Sequence, residues 1–86
     1  MNKLEQKVLN YLNQRGFDIT KDTLNYRGMR DNFELPDGTV KTVHSFSFIV
    51  SAGDEFENMI YYIFIDADTN RLELLLTPHY GEKIIE

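Results

Sequence analysis

The segment DADTN at residues 66–70 has the spacing that begins a calcium-binding loop, with Asp66, Asp68 and Asn70 at alternate positions. Such a loop also needs a glycine at its sixth position and a bidentate glutamate at its twelfth. Arg71 and Thr77 stand at these two positions instead. The segment therefore predicts a hairpin turn in preference to a calcium site.

The two histidines, His44 and His79, are the other residues that could bind a metal or act as a general base. They lie 35 residues apart, and neither belongs to an H-x-x-H or H-E-x-x-H pattern. The serines lack the G-x-S-x-G context of a nucleophile, and the glycines are isolated, as in turns and not in a phosphate-binding loop. We therefore expect no enzyme activity, no metal and no cofactor.

The composition is that of a folded protein. The chain has 86 residues, of which 42% are hydrophobic and 13% aromatic, and it contains no cysteine. This length suits a single domain, residues 1–86, with a modest core. Disulfide and thiolate chemistry are excluded.

Charge is distributed unevenly along this acidic chain. The net charge is −5 and the isoelectric point about 4.9. Residues 1–30 carry a net +3 and residues 31–86 a net −8. Nucleic-acid binding depends on clustered Lys and Arg, so we expect no nucleic-acid partner. The acidic balance is most simply a solubility feature, and an acidic face for a basic partner is the alternative.

The first sixteen residues carry charges throughout, so they do not resemble a signal peptide. The longest apolar run, residues 59–65, is too short to cross a bilayer as a helix. The sequence therefore predicts a protein without a membrane partner, located in the cytoplasm.

The coarse elements are one helix and then several strands. Residues 2–15 have apolar residues at helical spacing, and Gly16 is placed for a left-handed helix cap. Alternating patterns and turn residues then predict strands at about 24–35, 39–51, 59–66 and 72–77. Gly28 and the segment 30–32 interrupt the first strand, as a β-bulge would. The tail, residues 79–86, is either a short last strand or loosely attached.

The predicted fold class is α+β, with an N-terminal helix packed on one face of a four-stranded antiparallel meander, α-β-β-β-β. We expect Phe48 opposite Met59 and Ile65 opposite Leu72. This register places ten apolar residues on the helix-covered face: Phe46, Phe48, Val50, Met59, Tyr61, Ile63, Ile65, Leu72, Leu74 and Leu76.

The opposite face of this sheet would also be apolar, and the sequence offers no second helix to cover it. Large apolar patches on soluble proteins tend to be interaction sites. We therefore predict a protein-binding surface composed of Val43, Ile49, Ile60, Tyr62, Phe64 and Leu75. The alternatives are that the tail folds back over this face or that sheet twist hides it.

The leading functional hypothesis is a small, non-enzymatic interaction module that forms a homodimer or binds another protein through this face. The alternative is a small-molecule-binding domain, with a pocket between helix and sheet near Tyr11, His44, Phe46 and Tyr61.

Overall fold

The computed structural model describes residues 3–50 and 59–84, which form one helix followed by an antiparallel sheet. Each strand pairs with the strand before it, in the order β1-β2-β3-β4-β5. The elements are α1 (Lys3–Gln14), β1 (Asn25–Glu34), β2 (Val40–Val50), β3 (Met59–Asp66), β4 (Leu72–Leu76) and β5 (Gly81–Lys83). The predicted α+β class is confirmed, and β5 adds a fifth strand from the tail.

Helix α1 buries one stripe against the sheet. Val8 and Leu12 lie one turn apart and have no exposed surface. The helix ends because Gly16 adopts a φ of 95°, and the amide of Phe17 then donates to the carbonyl of Leu12 at 3.0 Å. This is the left-handed cap that the sequence predicted, since glycine carries no Cβ to oppose it.

The connector after α1 completes the core on this side of the sheet. Phe17 makes edge-on ring contacts with Phe48 and Tyr61, at centroid distances of 5.6 and 5.7 Å. Asn13 fixes the connector, because its side chain donates to the carbonyl of Ile19 and accepts from the Ile19 amide. The chain thereby reaches the sheet edge where β1 begins.

The register between β2 and β3 differs from the predicted one by two residues. Phe48 lies opposite Tyr61, and Val50 lies opposite Met59. A shift of two residues leaves each side chain on its predicted face, because side chains alternate with a period of two. The pairing was therefore wrong, whereas the division of these strands into two faces was right.

The register between β3 and β4 shows that the predicted faces of β4 were partly wrong. Ile65 pairs with Leu72 as expected, but Phe64 then pairs with Leu74, so Glu73 is an extra residue that forms a bulge. The bulge exchanges the faces of the following residues. Leu75 joins the core under the helix, whereas Leu74 and Leu76 belong to the cluster on the opposite side.

Strand β1 contains two bulges, where the sequence predicted one interruption from Gly28 and residues 30–32. Irregularities fall between Tyr26 and Gly28 and between Arg30 and Phe33. Gly28 has a φ of 97° and Asn32 a φ of 55°, both in the left-handed region. Each bulge increases the local bend of the strand. These bends shape the surface described next.

Candidate interaction surface

The face of the sheet away from α1, here called the second face, has its own apolar cluster. Its members include Val43, Phe64 and Leu74, each 3% exposed or less, with Tyr62 and Leu76 partly buried beside them. The surplus of apolar side chains predicted for this side therefore exists. Most of it is covered.

The cover is the end of the β1–β2 hairpin, residues 33–41, here called the arm. The ring of Phe33 stacks on the ring of Phe64, with centroids 4.5 Å apart. Leu35 is 5% exposed and belongs to the cluster of Phe64 and Leu74. An arm of the chain itself thus fills the place that the sequence left open for a partner or for the tail.

Asp37 at the tip of the arm forms an ion pair with Lys83 in β5, with Nζ and Oδ2 3.3 Å apart. The arm extends from β2, three strand spacings away from β5, or about 14 Å. Asp37 can reach Lys83 only because the arm bends across the second face. The contact links the first hairpin to the opposite edge of the sheet.

The turn at the tip is built by residues suited to it. Gly38 adopts a φ of 90°, and the amide of Thr39 donates to the Asp37 carboxylate at 2.9 Å. This backbone hydrogen bond, then one with the Thr39 side chain and then the contact with Lys83, lower the pKa of Asp37 to about 2. Asp37 is therefore ionised at neutral pH, as its ion pair requires.

Lys41 anchors the base of the arm between two carboxylates. Its Nζ lies 2.9 Å from Asp66 and 3.3 Å from Glu73, and its side chain is 27% exposed. The hydrogen bond with Asp66 raises the pKa of Lys41, and the same bond lowers the pKa of Asp66. The bulge at Glu73 brings the second carboxylate to this site.

Asp66 also organises the turn that resembled a calcium loop. Its Oδ1 accepts hydrogen bonds from the amides of Asp68 and Thr69, at 2.7 and 3.3 Å. Asn70 has a φ of 61°, the left-handed conformation expected of a hairpin turn. Within residues 3–50 and 59–84, no group of three His, Cys, Asp or Glu side chains is placed to hold a metal ion.

The six residues predicted to bind a partner are divided among four environments. Val43 and Phe64 are buried under the arm, and Leu75 lies in the core on the helix side. Tyr62 is partly buried. Ile49 and Ile60 are 46% and 51% exposed. Only part of the predicted surface is therefore accessible.

The accessible apolar residues lie at one end of the second face. Ile49 and Ile60 are directly opposite each other in the β2–β3 ladder. The next row on that face contains Tyr62 and Leu76, which also pair. We call these four residues the open end. None of them carries a charge, and Gly81 beside Leu76 contributes no side chain.

The described part of the tail, residues 79–84, does not fold back over the second face. Ile84 is buried in the core on the helix side, and its amide donates to the carbonyl of Glu73. Glu82 accepts two hydrogen bonds from Arg15, the residue after α1, at 2.8 and 3.1 Å. Tyr80 is 60% exposed. Residues 85–86 lie outside the described residues.

Neither edge of the sheet is suited to pairing with a strand from another protein. The two bulges of β1 leave no long regular stretch along its outer edge. The other edge strand, β5, has three residues. Bulges and short edge strands are the usual devices against such pairing. These edges therefore do not favour the addition of a strand from another chain.

His44 is held by contacts with other side chains. Among the described residues, no group of three potential metal ligands forms around it. Its Nδ1 lies 2.9 Å from the hydroxyl of Tyr26, whose ring also packs edge-on against Phe46. His44 is thus half-buried and hydrogen-bonded. Ser45, the next residue, is fully buried, and its hydroxyl has no protein partner in the described part of the chain.

An open groove of about 650 Å³ runs beside α1, lined by polar residues between Lys3 and Gln14 together with Leu72. Of the four residues predicted to line a pocket, Tyr11 borders this groove. His44, Phe46 and Tyr61 do not, and Phe46 is packed in the core. The groove therefore lies on another side of the helix from the predicted pocket.

No family model, curated protein or solved structure matches this chain. Among the residues that the structure describes, no helix is both long and apolar enough to cross a membrane.

The sequence reading missed the arm, although a signal for it was present. In a regular strand the odd spacing between Tyr26 and Phe33 places Phe33 and Leu35 on the opposite face from Leu24 and Tyr26, and a single bulge would bring the two pairs onto one face. The strand has two single-residue bulges, so Leu24 lies in the helix-side core and Leu35 in the cluster of the second face. A leucine directly before the Pro36 turn, where a polar residue would be usual, was the available clue.

Proposed function

We propose that this protein is a small, non-enzymatic interaction module whose contact surface is the open end of the second face. The observation that supports this most directly is the pair Ile49 and Ile60, 46% and 51% exposed and facing each other across two strands. Tyr62 and Leu76 extend the pair toward the covered cluster. The partner is a second copy of the chain or another protein.

The size of the open end predicts weak association. Full burial of an isoleucine is worth about 1.5–3 kcal/mol, so each half-exposed isoleucine adds about 1 kcal/mol. A symmetric dimer would bury four of them, worth about 4 kcal/mol. Association costs about 4–15 kcal/mol in lost translational and rotational freedom. The gain from the four isoleucines therefore only equals the lower limit of that cost. A lasting complex therefore needs further contact area.

The test replaces Ile60 by glutamate and compares it with a matched variant, Met29→Glu. Met29 is 56% exposed on β1, away from the open end, so its substitution controls for an added surface charge. Self-association is measured by sedimentation equilibrium up to millimolar concentration. We expect Ile60→Glu to weaken the dimer at least tenfold, about 1.4 kcal/mol, and Met29→Glu to leave it unchanged.

Both variants should keep the wild-type circular dichroism spectrum, because both positions are exposed. Equal effects of the two substitutions would contradict the proposed surface. If the wild type is monomeric at all concentrations, self-association is wrong. The partner version is then tested by affinity capture with wild type and Ile60→Glu, and it requires an identified protein that the variant loses.

A second candidate function is binding of a small molecule in the groove beside α1. Its volume of about 650 Å³ falls in the range of ordinary ligand sites. A metabolite panel read by melting temperature tests this, with Gln14→Trp as a variant that narrows the groove. A ligand that stabilises the wild type and not the variant supports the site, and a flat panel counts against it.

We further propose a cytoplasmic location and no nucleic-acid, metal or cofactor partner. The acidic isoelectric point of about 4.9 and the absence of cysteine support this. The sequence also lacks a paired nucleophile and base, which supports a role other than catalysis.

A further inference from the structure

The arm is attached to the rest of the sheet only through side chains. Its described backbone hydrogen bonds outside the strand ladder stay within the hairpin, where the amide of Leu35 donates to Thr39 and that of Gly38 to Leu35. The β2–β3 ladder begins at Val43, beyond the arm. The last backbone tie, from the Ala67 amide to the Thr42 carbonyl, lies just outside it.

The arm and the second face are complementary at each point of contact. Phe33 stacks on Phe64, Leu35 enters the apolar cluster, and Asp37 meets Lys83 with opposite charge. Lifting the arm would break these contacts without breaking a backbone hydrogen bond to β3, β4 or β5 among the described residues. The arm is therefore a unit with a fitted surface of its own.

The bend at the base of the arm lies at the second bulge of β1. Asn32, in this bulge before Phe33, has a φ of 55°. Asparagine is one of the few residues besides glycine that adopt this conformation routinely. A change of backbone conformation at this bulge would straighten the hairpin and project the arm into solvent. Hinge segments of this kind allow exchange of segments between copies.

We propose that two copies of this chain exchange their arms, so that each arm lies on the second face of the other copy. The arm already fits the surface around Phe64 and Lys83, so the arm of a second copy fits the same surface. Exchange of an identical element recovers the same contacts twice and is a low-cost route to a dimer. This inference rests on the self-association version of the proposed function. Each exchanged contact replaces one that the closed monomer already makes, so the net stabilisation of the dimer comes from the open end.

The ion pair at the tip allows a direct test on the unsubstituted chain. A water-soluble carbodiimide activates the Asp37 carboxylate, and the Lys83 amine, 3.3 Å away, displaces the activated group to form an amide with release of a urea. Labelled (¹⁵N) and unlabelled protein are unfolded together in equal amounts, refolded at millimolar concentration, coupled and digested. Mass spectrometry then reports whether the linked Asp37 and Lys83 peptides come from one isotope or from both.

Arm exchange predicts mixed-isotope Asp37–Lys83 peptides in the dimer fraction, about half of the total if copies pair at random. The variant Lys83→Arg keeps the charge but lacks the coupling amine, so it should lose this peptide. Dilution before refolding should return the peptide to a single isotope, because a monomer can only place its arm on itself.

The other outcomes separate this inference from the proposed function. A dimer with single-isotope peptides overturns arm exchange and leaves contact through the open end in place. A monomer with single-isotope peptides overturns both arm exchange and self-association. Absence of the linked peptide in the wild type shows that the arm does not lie on the second face in any copy, which also overturns the inference.

Discussion

Substitution of Leu35 is the most specific test of whether the arm covers the second face. It directly precedes a Pro-Asp-Gly turn, where sequence patterns place exposed residues, and substitution at an exposed site changes stability by about 0.5 kcal/mol or less. In the structure Leu35 is 5% exposed and packs with Phe64 and Leu74. We therefore expect Leu35→Ala to destabilise the protein as a core substitution does.

The magnitude follows from the burial of this side chain. Replacing a buried leucine by alanine costs about 2–5 kcal/mol, depending on how far the site collapses. The arm is joined to the face by side chains alone, so it can settle onto the smaller residue. The loss should therefore fall near the lower limit, at about 2–3 kcal/mol.

The assay is urea unfolding followed by circular dichroism, with Val40→Ala as the matched control. Val40 lies in the same arm and is 55% exposed, so its truncation should change the free energy of unfolding by less than about 0.5 kcal/mol. A Leu35→Ala variant as stable as the control would refute the account, because it would show that Leu35 is not buried on the second face.

Three further predictions concern the same face. Phe64→Glu should unfold the protein, because Phe64 is 3% exposed, whereas Ile60→Glu should fold, and circular dichroism distinguishes them. Because bonding to Lys41 lowers the pKa of Asp66, stability from this pair is present above the ordinary Asp pKa of about 4 and is lost as pH falls below it. Urea unfolding from pH 7 to pH 2 should show that loss, and Lys41→Met should reduce it. Ser45→Ala should match or exceed wild-type stability, since the buried hydroxyl has no protein partner, and a loss above 1 kcal/mol, on the order of a hydrogen bond, would contradict this.

The features that local chemistry dictates could be predicted from the sequence. Gly16 and Asn70 adopt the left-handed conformations expected of them, because helix caps and hairpin turns require that geometry at fixed positions. The helix and the first four strands followed from periodicity and turn residues, whereas β5 was left open. The interruption at Gly28 also predicted a bulge correctly.

The faces of β4 could not be predicted, because a bulge leaves no clear mark in the pattern LELLL. An uninterrupted strand would place Leu74 and Leu76 with Leu72, and the extra residue Glu73 reverses that assignment. Glu73 lies at the bulge, where its carboxylate meets Lys41, an interaction between residues 32 positions apart. Such long-range pairs are not visible in a local pattern.

The cover of the second face could not be predicted from the sequence either, because it also depends on contacts between distant residues. Apolar alternation in β2 and β3 predicted correctly that this face is apolar, but not what lies on it. The cover depends on the combined bend of two bulges and on contacts such as Asp37 with Lys83, 46 residues apart. The sequence has no second helix, and for that reason alone the face was predicted to be uncovered.

The most direct test of the arm on the second face is a proton nuclear Overhauser measurement between the rings of Phe33 and Phe64. The stacked rings have centroids 4.5 Å apart, so strong ring-to-ring cross-peaks are expected. They should persist in Val40→Ala and weaken in Leu35→Ala. Absence of these cross-peaks in the folded wild-type protein would show that the arm does not cover the second face and would contradict the account.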